Sequence, residues 1–160
     1  MEKKHYYKLN MIWTGNQGSG TSSYNSYSRD HEINVEGKPV LLSSSDPSFR
    51  GNKSRYNPEE LLVASLSSCH MLWYLHLCSV NGVIVIDYVE EATGTMVETA
   101  DGGGTFTEVS LNPVVTVANE NMIELAQSLH SKANQLCFIA NSCNFPVHHY
   151  PECRVYKTDR

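Results

Sequence analysis

The fold of this protein is decided by one stretch, residues 57–70, which reads Asn57-Pro58-Glu59-Glu60-Leu61-Leu62-Val63-Ala64-Ser65-Leu66-Ser67-Ser68-Cys69-His70. Asn57 is a favourable helix N-cap, and Pro58 occupies the first helical position, where its missing N–H is not needed. Glu60 stands three residues after Asn57, the spacing of a capping box. Apolar residues then recur around most of the helical circumference as far as Val80, and a helix without a polar face is a buried one. The stretch therefore predicts a long buried helix with Cys69 near its middle.

Strands and a second helix account for most of the remaining chain. Alternation of apolar and polar residues predicts strands at several ranges: 6–13, 31–35, 83–98, 105–117 and a more polar one at 21–28. Small and apolar residues at helical spacing predict a helix at 120–140, with Cys137 on its buried face. Gly94 is a candidate bulge, and Pro113 indicates an edge strand or a bulge. Strands combined with two helices predict an α+β fold, and no repeat or linker divides the single domain at 1–160.

The composition excludes several classes of protein. A chain of 160 residues with 41% hydrophobic content suits one globular domain with a core. A net charge of −5 without a basic run is unlike that of a nucleic-acid-binding protein. The N-terminal residues lack an apolar signal core, so we expect a cytoplasmic protein. Residues 61–80 are long enough to span a membrane, but they contain serines and two histidines without a flanking basic cluster, so we expect no membrane span.

The chain contains five cysteines: Cys69, Cys78, Cys137, Cys143 and Cys153. An odd number, in a chain too long to need disulfide staples, favours a reducing compartment in which thiols do chemistry. A cysteine on a buried helix face is most often a small hydrophobic residue, and we expect this of Cys78.

A family resemblance is carried by the string Asn-Pro-Glu-Glu-Leu-Leu at 57–62 and by the cysteine ten positions after its first glutamate. Ser-Asp-Pro-Ser-Phe-Arg-Gly at 45–51 and Cys-Phe-Ile-Ala-Asn-Ser at 137–142 fit the same pattern. Together they resemble the signature of the OsmC/Ohr family, the osmotically inducible and organic-hydroperoxide-resistance proteins. The resemblance covers nearly the whole chain. It implies an OsmC-like fold, with antiparallel sheets wrapped around the long buried helix, in an intertwined homodimer.

The resemblance also implies a thiol-dependent peroxidase acting in oxidative or osmotic stress defence. Cys69 would be the peroxidatic thiol, which reduces an organic hydroperoxide and becomes a sulfenic acid. Cys137 would be the resolving thiol, which forms a disulfide with Cys69. The implied reductant is a small dithiol or a lipoylated protein, and the chemistry needs no cofactor and no metal. Apolar walls around Cys69 would favour a bulky alkyl hydroperoxide over hydrogen peroxide.

A thiolate in an apolar setting needs a nearby cation, and Cys69 lies too far from the helix ends to rely on the helix dipole. The resemblance implies an arginine held by Glu59. Arg50 is the candidate, with Arg55 and Arg29 as alternatives. Ten helical residues span about 15 Å, so Glu59 and Cys69 of one helix cannot share an arginine, and we expect Glu59 to come from a second subunit. By local sequence alone, Glu59 is also an ordinary helix-start carboxylate and Arg50 an ordinary loop cation.

The sequence departs from the family pattern around Cys137. Relatives commonly have Cys-Pro-x-Ser where this chain has Cys137-Phe138-Ile139-Ala140, and Asn134 stands where a histidine is common. The change favours an alternative function, a non-enzymatic protein that binds a small apolar or electrophilic molecule and senses redox state through its thiols. The retained Cys69, Glu59 and arginine-bearing loop favour the peroxidase more strongly.

Soft metal ligands gather near the C-terminus: Cys143, His148, His149 and Cys153. These residue types bind zinc, but their spacing matches no finger or ribbon, so we expect no metal site. On the long helix, we expect His70 and His76 to be buried, hydrogen-bonded residues and not catalytic bases.

Overall fold

A computed structural model describes residues 2–157 of the chain. The described residues contain seven strands and two α-helices: β1 Asn10–Trp13, β2 His31–Asn34, β3 Leu41–Ser43, α1 Pro58–Val80, β4 Val85–Glu98, β5 Gly104–Val117, α2 Ile123–Leu136, β6 Val147–His149 and β7 Glu152–Val155. Short 3-10 turns lie at Pro47–Phe49, Glu120–Met122 and Ala140–Ser142. The α+β class predicted from the sequence is confirmed. The chain divides into two compact units, Met1–Leu62 and Val63–Arg160, and the single domain at 1–160 stays a prediction.

The N-terminal unit contains a three-stranded antiparallel sheet in the order β1-β2-β3. Trp13 pairs with His31, and Ile33 pairs with Leu41. All four residues of β1 are exposed in the single chain, so the strand predicted at 6–13 is shorter and is not half-buried. Alternation predicts the extended backbone correctly but not its burial, because burial requires a second layer.

The segment at 21–28, predicted as a strand, instead forms turns with a single bridge between Asn16 and Tyr27. Polar side chains here bond to nearby backbone groups. The Ser26 hydroxyl donates to the carbonyls of Gly20 and Ser23. In the turn just before the segment, the Asn16 Oδ1 accepts from the N–H of Gly20. Such local bonds compete with the bonds of a strand ladder, which explains why the β-prone composition forms no strand.

The first turn of α1 is closed by the predicted capping box, which is confirmed. The Glu60 N–H donates to Asn57 Oδ1 at 2.7 Å, and the Asn57 N–H donates to Glu60 Oε2 at 3.1 Å. Asn57 is buried, so the bond from its backbone N–H to Glu60 satisfies a donor with little access to water. The helix ends at Val80, and Gly82 then adopts a φ of 74°, a left-handed conformation that favours glycine.

The C-terminal unit is built on the antiparallel hairpin of β4 and β5. Strands β6 and β7 both pair with β5 in the parallel sense. The expectation of antiparallel sheets is therefore wrong for the two terminal strands. A parallel pair needs a crossover connection, and α2 with its flanking turns supplies one between β5 and β6.

Pro113 is buried in the middle of β5, which has strands on both sides, and does not lie on the predicted edge. It falls at a break in the pairing, since β6 pairs as far as Leu111 and β7 pairs from Val114. Such a break is a position where a sheet tolerates a residue without an N–H group.

The predicted bulge at Gly94 is displaced, because the register of the hairpin shifts between Thr95 and Met96. Gly94 has a packing role instead. A Cβ at this position would lie 2.8 Å from side-chain atoms of Phe106 and Val63, closer than carbon atoms pack.

Two apolar clusters form the core of the C-terminal unit. The first is built from α1, β5 and α2 and includes Tyr74, Cys78, Val115, Val117, Ala126 and Ala133. The second includes Leu66, Val109 and Leu111, with Val63, Phe106 and Phe145 packed against them. One row of α1 supplies the buried side chains of this helix, at intervals of four residues: Leu66, His70, Tyr74 and Cys78. Cys78 is thus a core residue, as the sequence predicted.

The opposite face of α1 is exposed in the single chain. The exposed stripe comprises Ala64, Ser68, Leu72, His76 and Val80. Leu72 is 60% exposed and Val80 is 64% exposed. The prediction of a helix buried on all sides is therefore wrong for one chain, because the sheet and α2 cover only one face. By length and composition α1 could also cross a membrane, a criterion that the core helix of a folded protein meets as well.

The second helix is shorter than predicted. A 3-10 turn precedes α2, and α2 ends at Leu136 instead of residue 140. Cys137 has an extended backbone with ψ of 110°. The residues that follow, Phe138 and Ile139, are weak helix formers, so helix propensity does little to extend α2 beyond Leu136. Cys137 therefore lies directly after the helix, although its side chain is still buried.

Candidate active site

Cys69 lies in the middle of α1 and opens onto a cavity of about 340 Å³. The lining comes from α1 and from the segment after α2: Ser65, Ser68, Cys69, Leu72, Trp73, Phe138 and Ile139. Cys69 is half-buried, and most of the wall is apolar. A partly exposed thiol in an apolar cavity is accessible to a small molecule with an apolar body.

Cys137 lies beside Cys69, close enough for the Cys69 thiol to influence its ionisation. The Cys137 Sγ also accepts a hydrogen bond from the Ala140 N–H at 3.4 Å. Burial, and next the adjacent Cys69 thiol, raises the pKa of Cys137 to about 11. Cys137 is therefore a protonated thiol at neutral pH. The structure thus brings together the two cysteines that the sequence singled out.

Glu59 lies in the first turn of α1 and is half-buried. Its Oε2 is buried and has no hydrogen-bond partner among the described residues. The ion pairs within residues 2–157 do not include Glu59. Burying a carboxylate oxygen without a hydrogen-bond donor costs free energy. A cation or a donor beside the Glu59 Oε2 would therefore be stabilising.

Two of the three candidate arginines are already engaged in the N-terminal unit. The Nε of Arg55 lies 3.4 Å from Asp30 Oδ2. Arg29 donates to the carbonyls of Tyr27 and Tyr24 at 2.7 and 2.9 Å. Its guanidinium lies 4.2 Å from both ring centroids. Both arginines thus hold local structure.

Arg50 is exposed and has a φ of 64°, directly after the turn Pro47–Phe49. The loop has little freedom here, because a Cβ on Gly51 would collide with the Ser45 carbonyl oxygen. The Arg50 guanidinium lies 5.8 Å from the Tyr24 ring, and no carboxylate within residues 2–157 forms an ion pair with it. Arg50 is therefore the candidate whose charge is left without a partner in the single chain.

Comparison with known proteins identifies the family. The family model described as OsmC-like protein matches residues 51–150. The chain belongs to the OsmC-like protein family. A search of curated proteins found no match.

Solved structures confirm the OsmC-like fold. An OsmC-like protein of unknown function from Vibrio cholerae is 27% identical, with a TM-score of 0.83 over 92% of this chain and 99% of that one. An organic hydroperoxide resistance protein from Elizabethkingia anophelis is 20% identical, with a TM-score of 0.67 over 96% of this chain and all 100% of that one. A putative organic hydroperoxide resistance protein from Vibrio cholerae, with captopril bound in one of its active sites, is 19% identical, with a TM-score of 0.62 over 96% and 95% of the two chains. At these last two identities, the likeness shows the fold alone.

The possible zinc ligands of this OsmC-like protein are dispersed. Each of the four contacts a different group: Cys143 the Ile139 carbonyl, His148 the Glu108 carboxylate, His149 the His70 ring and Cys153 the Tyr74 hydroxyl. Within residues 2–157, no three His, Cys, Asp or Glu side chains are close enough together to hold a metal ion.

A buried histidine pair, defined as His70 and His130, is the polar feature of this OsmC-like interior that sequence analysis missed. His70 Nε2 and His130 Nδ1 lie 3.0 Å apart, and the His130 ring stacks on Tyr74 at 3.7 Å. Both side chains are fully buried, and their outer nitrogens have no partner among the described residues. Burial, with a smaller effect from His149, lowers the pKa of His70 to about 4. Burial and the neighbouring His70 lower the pKa of His130 to about 3.

The expected burial and hydrogen bonding of His70 are confirmed, whereas His76 is exposed. The sequence contains one signal of this pair, since residues 70 and 130 both lie on helix faces that are predicted to be buried. A helical pattern shows that two faces are buried, but it does not show that they meet.

The free energy of unfolding is expected to decrease as the pH falls below about 6.5. His70 and His130 stay neutral in the folded protein down to about pH 4 and about pH 3, whereas the unfolded chain binds protons from about pH 6.5. The unfolded state thus binds more protons in this window, and each histidine contributes a slope of up to about 1.4 kcal/mol per pH unit. Urea unfolding between about pH 7 and pH 4.5 measures the slope.

A His130→Gln variant should show a shallower pH dependence than the wild type, because one titrating group is removed. A His76→Gln variant is the control, since His76 lies on the exposed stripe of the same helix as His70. Equal slopes in wild type and His130→Gln would contradict the prediction.

Proposed function

We propose that this OsmC-like protein is a thiol-dependent peroxidase that reduces organic hydroperoxides in the cytoplasm and acts in oxidative stress defence. The observation that carries the proposal is the proximity of Cys137 to Cys69, which opens onto an apolar cavity of about 340 Å³. A peroxidatic thiol needs access to substrate and a second thiol within reach, and this pair of residues has both.

In the first step, the Cys69 thiolate attacks the terminal oxygen of the hydroperoxide, and the O–O bond breaks. Cys69 becomes a sulfenic acid, and the alkoxide leaves and takes up a proton to form the alcohol. In the second step, the Cys137 sulfur attacks the Cys69 sulfur, water leaves, and a disulfide forms. A dithiol or a lipoylated protein then supplies two electrons and two protons to restore both thiols.

The surroundings of the two thiols support these roles. The high pKa of Cys137 keeps it protonated at neutral pH, so its thiol is able to donate a hydrogen bond to the neighbouring Cys69 sulfur. The apolar wall, with Leu72 and Ile139, contributes binding energy only to a substrate with apolar surface. This favours an alkyl or aryl hydroperoxide over hydrogen peroxide.

An intertwined homodimer would complete the site. The exposed apolar stripe on α1, which includes Leu72, supports a covering second copy. Glu59 and Cys69 lie ten residues apart in one helix, about 15 Å, so we propose that Glu59 of one chain and Cys69 of the other meet around Arg50. The unpartnered Oε2 of Glu59 and the unpaired charge of Arg50 support this arrangement.

A non-enzymatic binding or redox-sensing role is the second candidate. It is favoured by Phe138, which directly follows the proposed resolving thiol and is 68% exposed, where the family resemblance implies proline. The 27% identical relative is described as of unknown function and does not separate the two candidates.

The proposed function predicts the product of one turnover. Reduced protein treated with one equivalent of cumene hydroperoxide should consume it within seconds and lose two hydrogen atoms by intact mass, with peptide mapping showing a Cys69–Cys137 disulfide. A Cys137→Ser variant should consume the same equivalent but stop as a sulfenic acid at Cys69, trapped with dimedone. The wild-type disulfide should also form in a Cys143→Ser control, because the Cys143 thiol donates to the Ile139 carbonyl and does not line the cavity.

Two results would overturn the peroxidase assignment. One is oxidation of the wild type no faster than that of free cysteine. The other is a product without a Cys69–Cys137 bond. Either result would favour the non-enzymatic binding or redox-sensing role instead.

A further inference from the structure

The aromatic wall, defined as Trp73 and Phe138, forms one side of the Cys69 cavity. The two ring centroids lie 5.5 Å apart with an interplanar angle of 80°, an edge-to-face contact. Trp73 also meets the His76 ring edge-to-face, at 5.8 Å and 74°. The indole thus contacts two aromatic neighbours and also packs against the first apolar cluster, and these contacts restrain the surface that it presents to a ligand.

Core packing does not explain Phe138. Its side chain is 68% exposed and belongs to neither apolar cluster of the C-terminal unit. It nevertheless follows Cys137 directly and lines the cavity that Cys69 opens onto. A large apolar side chain that is exposed beside a reactive thiol, and that the core does not need, fits recognition of a ligand.

The geometry of the wall favours one kind of substrate. Aromatic rings pair preferentially edge-to-face or offset, so an aryl group entering the cavity gains ring contacts in addition to burial of apolar area. An alkyl group at the same place gains the burial only. Hydrogen peroxide has no group that reaches the wall.

We propose that the aromatic wall makes this site selective for hydroperoxides that carry an aryl or other planar unsaturated substituent on the carbon bearing the peroxide. This inference rests on the proposed peroxidase function. The peroxide oxygen meets Cys69 while the planar group lies against Trp73 and Phe138. Both wall residues are specificity-determining residues, since they touch the substituent and not the reacting atoms.

The test compares cumene hydroperoxide with tert-butyl hydroperoxide, which differ by a phenyl in place of a methyl group on the same tertiary carbon. The measured quantity is the ratio of their second-order rate constants. Phe138→Leu and Trp73→Leu should each lower this ratio by about fivefold, the size of one aromatic contact, while the rate with hydrogen peroxide changes by less than about twofold. Phe138 is exposed, so the Phe138→Leu variant is expected to fold. An unchanged ratio of rate constants in this variant overturns the proposal.

A Phe145→Leu variant is the matched control. Phe145 forms a comparable aromatic pair with Phe106, at 5.5 Å, but does not line the cavity. Its ratio of rate constants should equal that of the wild type. A fall as large as that in Phe138→Leu would assign the effect to general loosening of the unit and overturn the role of the wall.

A second measurement separates the wall from the peroxidase chemistry. N-phenylmaleimide and N-methylmaleimide add to a thiolate by the same reaction, and peptide mapping measures the rate at which each alkylates Cys69. The phenyl preference is the ratio of these two rates, divided by the same ratio measured with glutathione. A phenyl preference that falls about fivefold in Phe138→Leu supports the wall even if the wild type reduces no hydroperoxide, in which case the proposed function alone fails. Equal preference in wild type and Phe138→Leu overturns the wall even if hydroperoxide is consumed.

Discussion

Replacing Cys69 by serine is expected to lower the second-order rate constant for cumene hydroperoxide by at least about 10³-fold, because a serine hydroxyl is not ionised at neutral pH and is a far weaker nucleophile than a thiolate. The change removes the one partly exposed sulfur of the cavity and leaves its volume nearly unchanged. Stopped-flow loss of hydroperoxide under single-turnover conditions measures the rate. Circular dichroism shows whether the fold is retained.

A Cys153→Ser variant is the control for loss of a thiol elsewhere. Cys153 is also half-buried, but its sulfur lies 4.0 Å from the Tyr74 hydroxyl and outside the Cys69 cavity. This variant should react at the wild-type rate. A Cys69→Ser protein that still reduces hydroperoxide at that rate would show that another residue is the nucleophile.

Replacing Leu66 by alanine is expected to lower the free energy of unfolding by about 2–5 kcal/mol. Leu66 is fully buried on α1 and packs with Val109 and Leu111 of β5 in the second apolar cluster. The change removes apolar atoms and leaves a cavity that the surrounding strands and helix fill only in part. Because a whole domain is stable by about 5–15 kcal/mol, this single change removes a large share of the total. Urea unfolding at fixed protein concentration measures the loss.

Leu72→Ala is the matched control, since it makes the same chemical change on the same helix. Leu72 is 60% exposed, so its truncation should alter the unfolding of the isolated chain by less than about 0.5 kcal/mol. If the exposed stripe contacts a second copy, Leu72→Ala should instead weaken the dimer, which sedimentation velocity over a dilution series detects. Equal stability losses in the two variants, without any change in oligomeric state, would contradict the assignment of buried and exposed faces.

Local features of the structure could be predicted from the sequence with good accuracy. The capping box of Asn57 and Glu60 depends on residues three positions apart. The expectation that both helix histidines are buried holds for His70 but not for His76. The alternation that predicted β4 and β5 likewise acts between near neighbours. The pairing of Cys69 with Cys137 came from the family resemblance, because no local rule connects residues so far apart in the chain.

The errors have two sources, which are local side-chain bonding and contacts between distant segments. The polar stretch at 21–28 forms turns because its side chains bond to nearby backbone groups more readily than a partner strand could. The parallel pairing of β6 and β7 follows from the crossover through α2, which a strand pattern does not reveal.

The sequence by itself determined the start of α1 and the positions of β4 and β5, because these depend on spacing along the chain and on residue type, and it singled out Cys69 and Cys137 through the family resemblance. Only the tertiary structure decided which face of α1 is covered, that His70 meets His130, and that Trp73 and Phe138 form a wall beside Cys69. The physical reason is that periodicity identifies a face that can be buried, whereas the contacts of that face depend on how the segments pack in three dimensions.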